Sequence, residues 1–279
     1  MLIARCIPRF RRPPRNGWLL LLVCLGCGGV PPDPGAGPSS IESAETIFAD
    51  DFESATLSAW TEGFHVARHT IARDASGNHY LVATYPAGRD GGWLTRFLPG
   101  RYDALTVSYD VRFPENWIGS TKLVALYGSR EDDQWSAFGQ AGRCPNGRDF
   151  FAAMMVIDAG VDPGPPRFYT YYPAMSREPD GVTCWGRYGN GAETYAPISL
   201  SRGAWHRVEF SVTLNTPGQP NARQAFRIDG VERGSWSGFS FRDSDILRLN
   251  ALQLTFSAHV EREPRELHID NVSVRIARP

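Results

Sequence analysis

Between Leu105 and Phe113 the chain reads LTVSYDVRF, with apolar side chains at every second position: Leu105, Val107, Tyr109, Val111 and Phe113. A β-strand turns successive side chains to opposite faces, so this period sets one face against a core and leaves the other to water. Runs of strand character recur at 122–127, 150–157, 167–172, 205–214, 224–228, 252–260 and 267–276, separated by clusters of Gly, Pro, Asn and Asp. No stretch sustains the 3.6-residue stripe of an amphipathic helix. Short strands with one apolar face bury it by stacking in two layers, and the pattern predicts an all-β, two-sheet antiparallel jelly-roll sandwich.

The first residues are of another kind. Arg5, Arg9, Arg11, Arg12 and Arg15 precede an apolar run from Trp18 to Leu25 that is far too short to span a bilayer, the pattern of a secretory signal peptide. Cys24-Leu25-Gly26-Cys27 has the Gly-Cys end of a bacterial lipoprotein signal, although Cys24 stands where an aliphatic residue is usual. Residues 1–26 are therefore expected to be removed and Cys27 to carry a lipid anchor to a membrane, with simple secretion as the alternative. Arg11-Arg12 is followed by Pro13-Pro14 and lacks the rest of a twin-arginine signal. Residues 27–44, mostly Gly, Pro, Ser and Ala, have the composition of a flexible tether. Residues 45–279 then form one all-β domain, expected to act as a monomer, exported as an envelope lipoprotein or secreted.

Charge and cysteines narrow the function. The formal net charge is −1 before any processing, and losing the five leader arginines would lower it further, so nothing attracts nucleic acid in general. With Cys6 and Cys24 in the leader and Cys27 expected to carry the lipid, Cys144 and Cys184 remain as a pair, and in an oxidising compartment they are expected to form a disulfide. A two-cysteine metal site would need histidines at ligand spacing, which are missing.

Lys122 is the only lysine, against 28 arginines, and lies in Lys122-Leu123-Val124-Ala125-Leu126-Tyr127-Gly128. An ammonium shifts its pKa readily on burial and can exchange protons; a guanidinium stays charged. The opening Phe48-Ala49-Asp50-Asp51-Phe52-Glu53, the stretch from Gly203 to Glu209 and the ending Ile269-Asp270-Asn271-Val272 resemble a concanavalin A-like jelly roll of carbohydrate-active proteins. More narrowly, the Lys122 segment, Tyr169-Thr170-Tyr171-Tyr172-Pro173 and Leu214-Asn215-Thr216-Pro217-Gly218 resemble the polysaccharide lyase family 14 domain of alginate and glucuronate lyases, over about residues 100 to 276.

That resemblance implies β-elimination on a uronic-acid polymer and matches Lys122, Tyr169 and Tyr171 to the family's catalytic lysine and tyrosines. The reaction needs a partner for the C6 carboxylate, a base for the C5 proton and an acid for the leaving O4, and no metal or other cofactor. On one strand Arg167, Tyr169 and Tyr171 share a face, a carboxylate fork beside two phenols. The bland alternatives are an aromatic ladder for the tyrosines and a solvated charge for Arg167. Where the family carries Ser-x-Arg, this chain has Ala152-Ala153-Met154, so carboxylate binding would pass to Arg148 or Arg167, or catalysis would be lost.

Other residues are candidates for contact with sugar. Trp185, Arg187 and Tyr188 sit in a glycine-rich segment beside Cys184, offering ring faces and a guanidinium, or else a loop packed by its own aromatics. His259 falls on the polar side of its predicted strand and would line a groove, whereas His206 alternates with Val208 and Phe210 and reads as a satisfied core histidine. Asp51 and Asp270 are candidates for a structural Ca²⁺. Two functions follow: a lyase acting on an acidic polysaccharide, or a non-catalytic carbohydrate-binding jelly roll. A glycoside hydrolase would need a carboxylate pair on one strand, and none is found.

Overall fold

A computed structural model describes residues 45–159, 162–186, 200–257 and 262–277. Among the described residues there are fourteen strands, one 3₁₀ turn (Val66–Arg68) and no α-helix. Numbering the strands along the chain, one sheet of six is ordered β2 (Glu62–Phe64), β5 (Trp93–Tyr102), β13 (Leu247–Thr255), β7 (Thr121–Arg130), β8 (Phe150–Ile157) and β9 (Pro166–Tyr171). The second, of eight, runs β12 (Val231–Phe239), β11 (Ala222–Ile228), β10 (Trp205–Thr213), β6 (Ala104–Arg112), β14 (Arg265–Ile276), β4 (His79–Tyr85) and β3 (His69–Arg73). β1 (Thr46–Asp50) continues the β4 edge by pairing with the second half of β14. All pairings are antiparallel, and β5–β13 and β6–β14 join segments far apart in sequence, as the predicted jelly roll requires.

The alternation read in β6 is realised: Leu105, Val107, Tyr109, Val111 and Phe113 are fully buried between the sheets. They meet Phe151, Phe168, Phe210, Phe226 and Phe256, also fully buried, with rings of Phe168 and Phe226 5.1 Å apart and edge-on. Burying an aromatic or aliphatic side chain of this size contributes about 1.5–3 kcal/mol. Gly128 on β7 makes room for one of them, since a Cβ there would fall inside the Phe151 ring. In β8, by contrast, all of Phe150–Ile157 is buried, because loops cover the face that turns away from the core. The strand expected at 252–260 lies instead at Leu247–Thr255, and residues 258–260 fall outside the described residues.

Candidate functional site

β7 contains the irregularity that builds the site. Its pairing with β8 runs in register from Ser129↔Phe150 to Val124↔Met155, then slips so that Lys122 pairs with Val156. The extra residue, Leu123, shifts the period by one, as a β-bulge does. Lys122 and Ala125 are three apart and would otherwise point to opposite faces; the bulge puts Lys122 on the outer face with Ala125 and Tyr127. Leu123 goes to the core, fully buried.

Across that outer face, Ala125 pairs with Met154 and Met154 with Tyr169, while Tyr127 pairs with Ala152 and Ala152 with Tyr171. The resulting cleft of about 130 Å³ is lined by Lys122, Tyr127, Ala152, Met154, Phe150 and Tyr171, with Ala137, Gly139, Gln140 and Ala141 of the β7–β8 loop as its wall. The Lys122 Nζ stands 5.0 Å from the centre of the Tyr169 ring, and the Tyr169 and Tyr171 rings are 5.8 Å apart. On the far side the Tyr127 hydroxyl donates to Gln253 Oε1 at 3.1 Å, and Gln253 Nε2 to Thr95 Oγ1 at 2.8 Å. Residues Tyr127 and Gln253 were not among the sequence candidates; each follows once the register of β7 and β13 is fixed.

Two environments are set against each other. Burial holds the Lys122 amine below the usual lysine range. Burial raises the Tyr171 phenol well above its usual value, the neighbouring Tyr169 phenol adds to this, and the Gly142 N–H works the other way. A base is thus made easier to find neutral and an acid made to keep its proton, which is the division of labour an acid–base pair needs.

The remaining candidates lie in different places. Arg167 is buried and its Nη2 donates to Asp158 Oδ1 at 3.0 Å, so it is not the solvated charge considered above, and its fork is engaged within the protein. Arg148 is exposed in the loop before β8, its backbone N–H donating to Asn146 Oδ1. Cys144 and Cys184 form a disulfide, and Cys184 N–H donates to Gly142 O at 3.0 Å. Trp185 next to it is 36% exposed, and Gly186 packs so closely on Tyr169 and Thr170 that a Cβ there would meet backbone at 2.8 Å. His206 is satisfied by Asp229 Oδ2 at 2.8 Å and by Ser201. Cys27, Arg187, Tyr188 and His259 lie outside the described residues.

The two aspartates considered for calcium have separate tasks. Asp51 is exposed and accepts from the Glu53 N–H, while buried Asp270 accepts from Asn78 Nδ2 and the Asn271 N–H. Among the described residues no group of three or more His, Cys, Asp or Glu could hold a metal ion.

Residues 92–257 match the family model described as polysaccharide lyase 14. No curated protein matches. Among solved structures, the PL-14 alginate lyase from Aplysia kurodai superposes with a TM-score of 0.63 at 15% identity, covering 84% of this chain and 100% of that one. The alginate lyase vAL-1 from Chlorella virus gives 0.62 at 13%, with the same coverage of 84% and 100%. The endo-β-1,4-glucuronan lyase from Trichoderma reesei gives 0.56 at 16%, covering 84% and 96%. At these identities the likeness is one of fold, and it is the jelly-roll sandwich of lyases.

Proposed function

The chain belongs to the polysaccharide lyase 14 family, and from that premise we propose that it cleaves an acidic, uronic-acid polysaccharide by β-elimination in the cleft between Lys122 and Tyr171. The carrying observation is the constellation itself: one half-buried amine pushed toward its neutral form, over the ring of Tyr169, in a cleft also lined by a phenol that holds its proton.

In this reading neutral Lys122 takes the C5 proton, the C5 electron pair forms the C4=C5 double bond, the C4–O4 bond breaks, and Tyr171 delivers its proton to the departing O4. The proton now on Lys122 returns to the Tyr171 phenolate, directly or through water, and the site is restored. Amine and phenol occupy one face of one sheet, so base and acid reach the sugar from the same side. A syn elimination follows, suited to mannuronate or glucuronate, where C5–H and C4–O4 point the same way, and not to guluronate. No cofactor takes part. Export, with a lipid on Cys27 or by simple secretion, would bring the enzyme to such polymers, which lie outside the cell.

A second reading rests on a specific observation. The floor where the C6 carboxylate would lie is Ala152 and Met154, and Arg167 is engaged with Asp158. A protein that kept the cleft and lost the carboxylate partner would bind acidic polysaccharide without cutting it. The test is to incubate the purified protein, beside Lys122→Ala, with polymannuronate, polyguluronate and glucuronan, following the ultraviolet absorbance of the unsaturated product. Absorbance that rises on mannuronate or glucuronan and is lost in the variant supports the lyase. A flat trace on every polymer, with binding retained, overturns it in favour of the binding protein.

A further inference from the structure

The wall of the cleft carries an aromatic residue that neither the core nor the chemistry uses. Trp135, in the β7–β8 loop, is 41% exposed. A solitary exposed tryptophan on a loose loop would mean little, but this one is held. Its N–H donates to Asp133 Oδ1 at 2.9 Å, its carbonyl accepts from the Phe138 N–H at 2.9 Å, and Ser136 next to it binds both the Arg130 N–H, through Oγ, and Gln140 Nε2, through its carbonyl. Below the indole, Phe97 of β5 meets it edge-on at 4.8 Å and Phe138 at 5.3 Å. Phe138 in turn lies over Tyr127 at 4.6 Å, and Tyr127 lines the cleft.

An aromatic path therefore leads from the cleft up to a fixed, solvent-facing indole on the same wall that supplies Ala137, Gly139 and Gln140 to the cleft. Exposing a large apolar face in a rigid setting is unfavourable unless something covers it, and the ring of a sugar offers axial C–H groups for that purpose. Any polymer threaded through the cleft continues past the reacting bond, along the sheet or up this wall. We propose that Trp135 is the platform of an outer subsite, on which a uronosyl residue of the same polymer chain stacks while the bond two or more residues away lies at Lys122. The inference rests on the proposed acidic-polysaccharide reading, and it adds where the chain goes beyond the catalytic groups.

The experiment compares the intact protein with Trp135→Ala and Trp135→Phe, measuring polymannuronate and glucuronan binding by calorimetry and cleavage by absorbance. Loss of one stacking contact should weaken binding by roughly two- to tenfold in Trp135→Ala, from an aromatic contact worth about 0.5–1.5 kcal/mol, with most of it restored in Trp135→Phe. In cleavage the same loss should raise KM and leave kcat within about twofold, since the contact is equal in ground and transition states. Equal binding by parent and Trp135→Ala overturns the subsite whether or not the polymer is cut, and so does a parent that binds neither polymer. A parent that binds but does not cut, with binding weakened in Trp135→Ala, sinks the lyase reading and keeps the subsite.

Discussion

Lys122 illustrates a group whose usefulness and cost have one cause. Burial depresses its pKa, so across the interval between the folded value and that of an ordinary lysine the unfolded chain binds a proton that the folded chain lacks. Stability therefore rises with pH through that interval, and below it the full cost of burying a charge is present. Lys122→Met should accordingly melt a few degrees higher than the parent near neutral pH, with the gain fading above the ordinary lysine pKa; thermal melts across pH check this, and a variant less stable at neutral pH sinks it. The same depressed pKa predicts that kcat rises with pH as the amine loses its proton. Lys122→Arg, always charged, should lose about 10²–10⁴-fold in kcat, the usual contribution of a general base. Tyr171→Phe should lose a comparable factor, and retention of more than a tenth of the parent rate in either variant would remove that residue from the chemistry.

The strand elements decide which of these residues meet. The period of two in β6 was plain because one face is buried and the other wet, and the two sheets follow from such strands. β12 was harder to read: Glu232, Arg233 and Ser235 lie on the edge strand, and the buried position among them is a glycine, Gly234, packed against the Phe226 ring, while β5 holds Pro99 and Gly100 near its end. The lysine and tyrosines of the site stood out as residue types and by resemblance to the family, but the path that unites them did not. A bulge at Leu123 leaves no signature in composition, and it alone puts Lys122 on the face of Tyr127. The ion pair of Arg167 was hidden for a related reason, since its partner Asp158 becomes visible only when the end of β8 is placed beside the start of β9. The elements also carry stability predictions. Gly128→Ala would drive a Cβ into the Phe151 ring and should cost roughly 1–3 kcal/mol or more by overpacking, read as a lowered denaturant midpoint. Removing the disulfide, whose cysteines are 40 residues apart, should cost about 4 kcal/mol on the chain-entropy account. Because the Cys184 segment packs on Tyr169 and binds Gly142, the Cys144→Ser, Cys184→Ser variant should also lose activity at temperatures where it is still folded; unchanged kcat there would confine the bridge to a structural role.

At the scale of the molecule, the proposed function raises the question of how a protein without excess positive charge would take hold of a polyanion. The chain has 29 basic and 30 acidic residues, and arginines on the outer face of the eight-stranded sheet are matched by carboxylates: Arg207 with Asp110 at 3.2 Å, Arg223 with Glu232 at 3.2 Å and Arg275 with Glu209 at 3.4 Å. A uronan approaching that face meets little net potential. The cleft offers a single amine, two phenols, an amide row from Gln253 to Thr95 and, on its wall, aromatic faces. Recognition of this kind is local, made of stacking, hydrogen bonds and one partly buried charge, all of which salt screens weakly. Binding by a basic track behaves differently, because exposed charges beyond a Debye length, about 10 Å at 0.1 M salt, are lost to screening. Raising NaCl from about 0.05 to about 0.5 M should therefore change kcat/KM on glucuronan or polymannuronate by less than roughly threefold, the residue of one shielded ion pair. A fall of tenfold or more over that range would mean that a basic surface draws the polymer in, and that the cleft described here is the end of its path and not the source of its affinity.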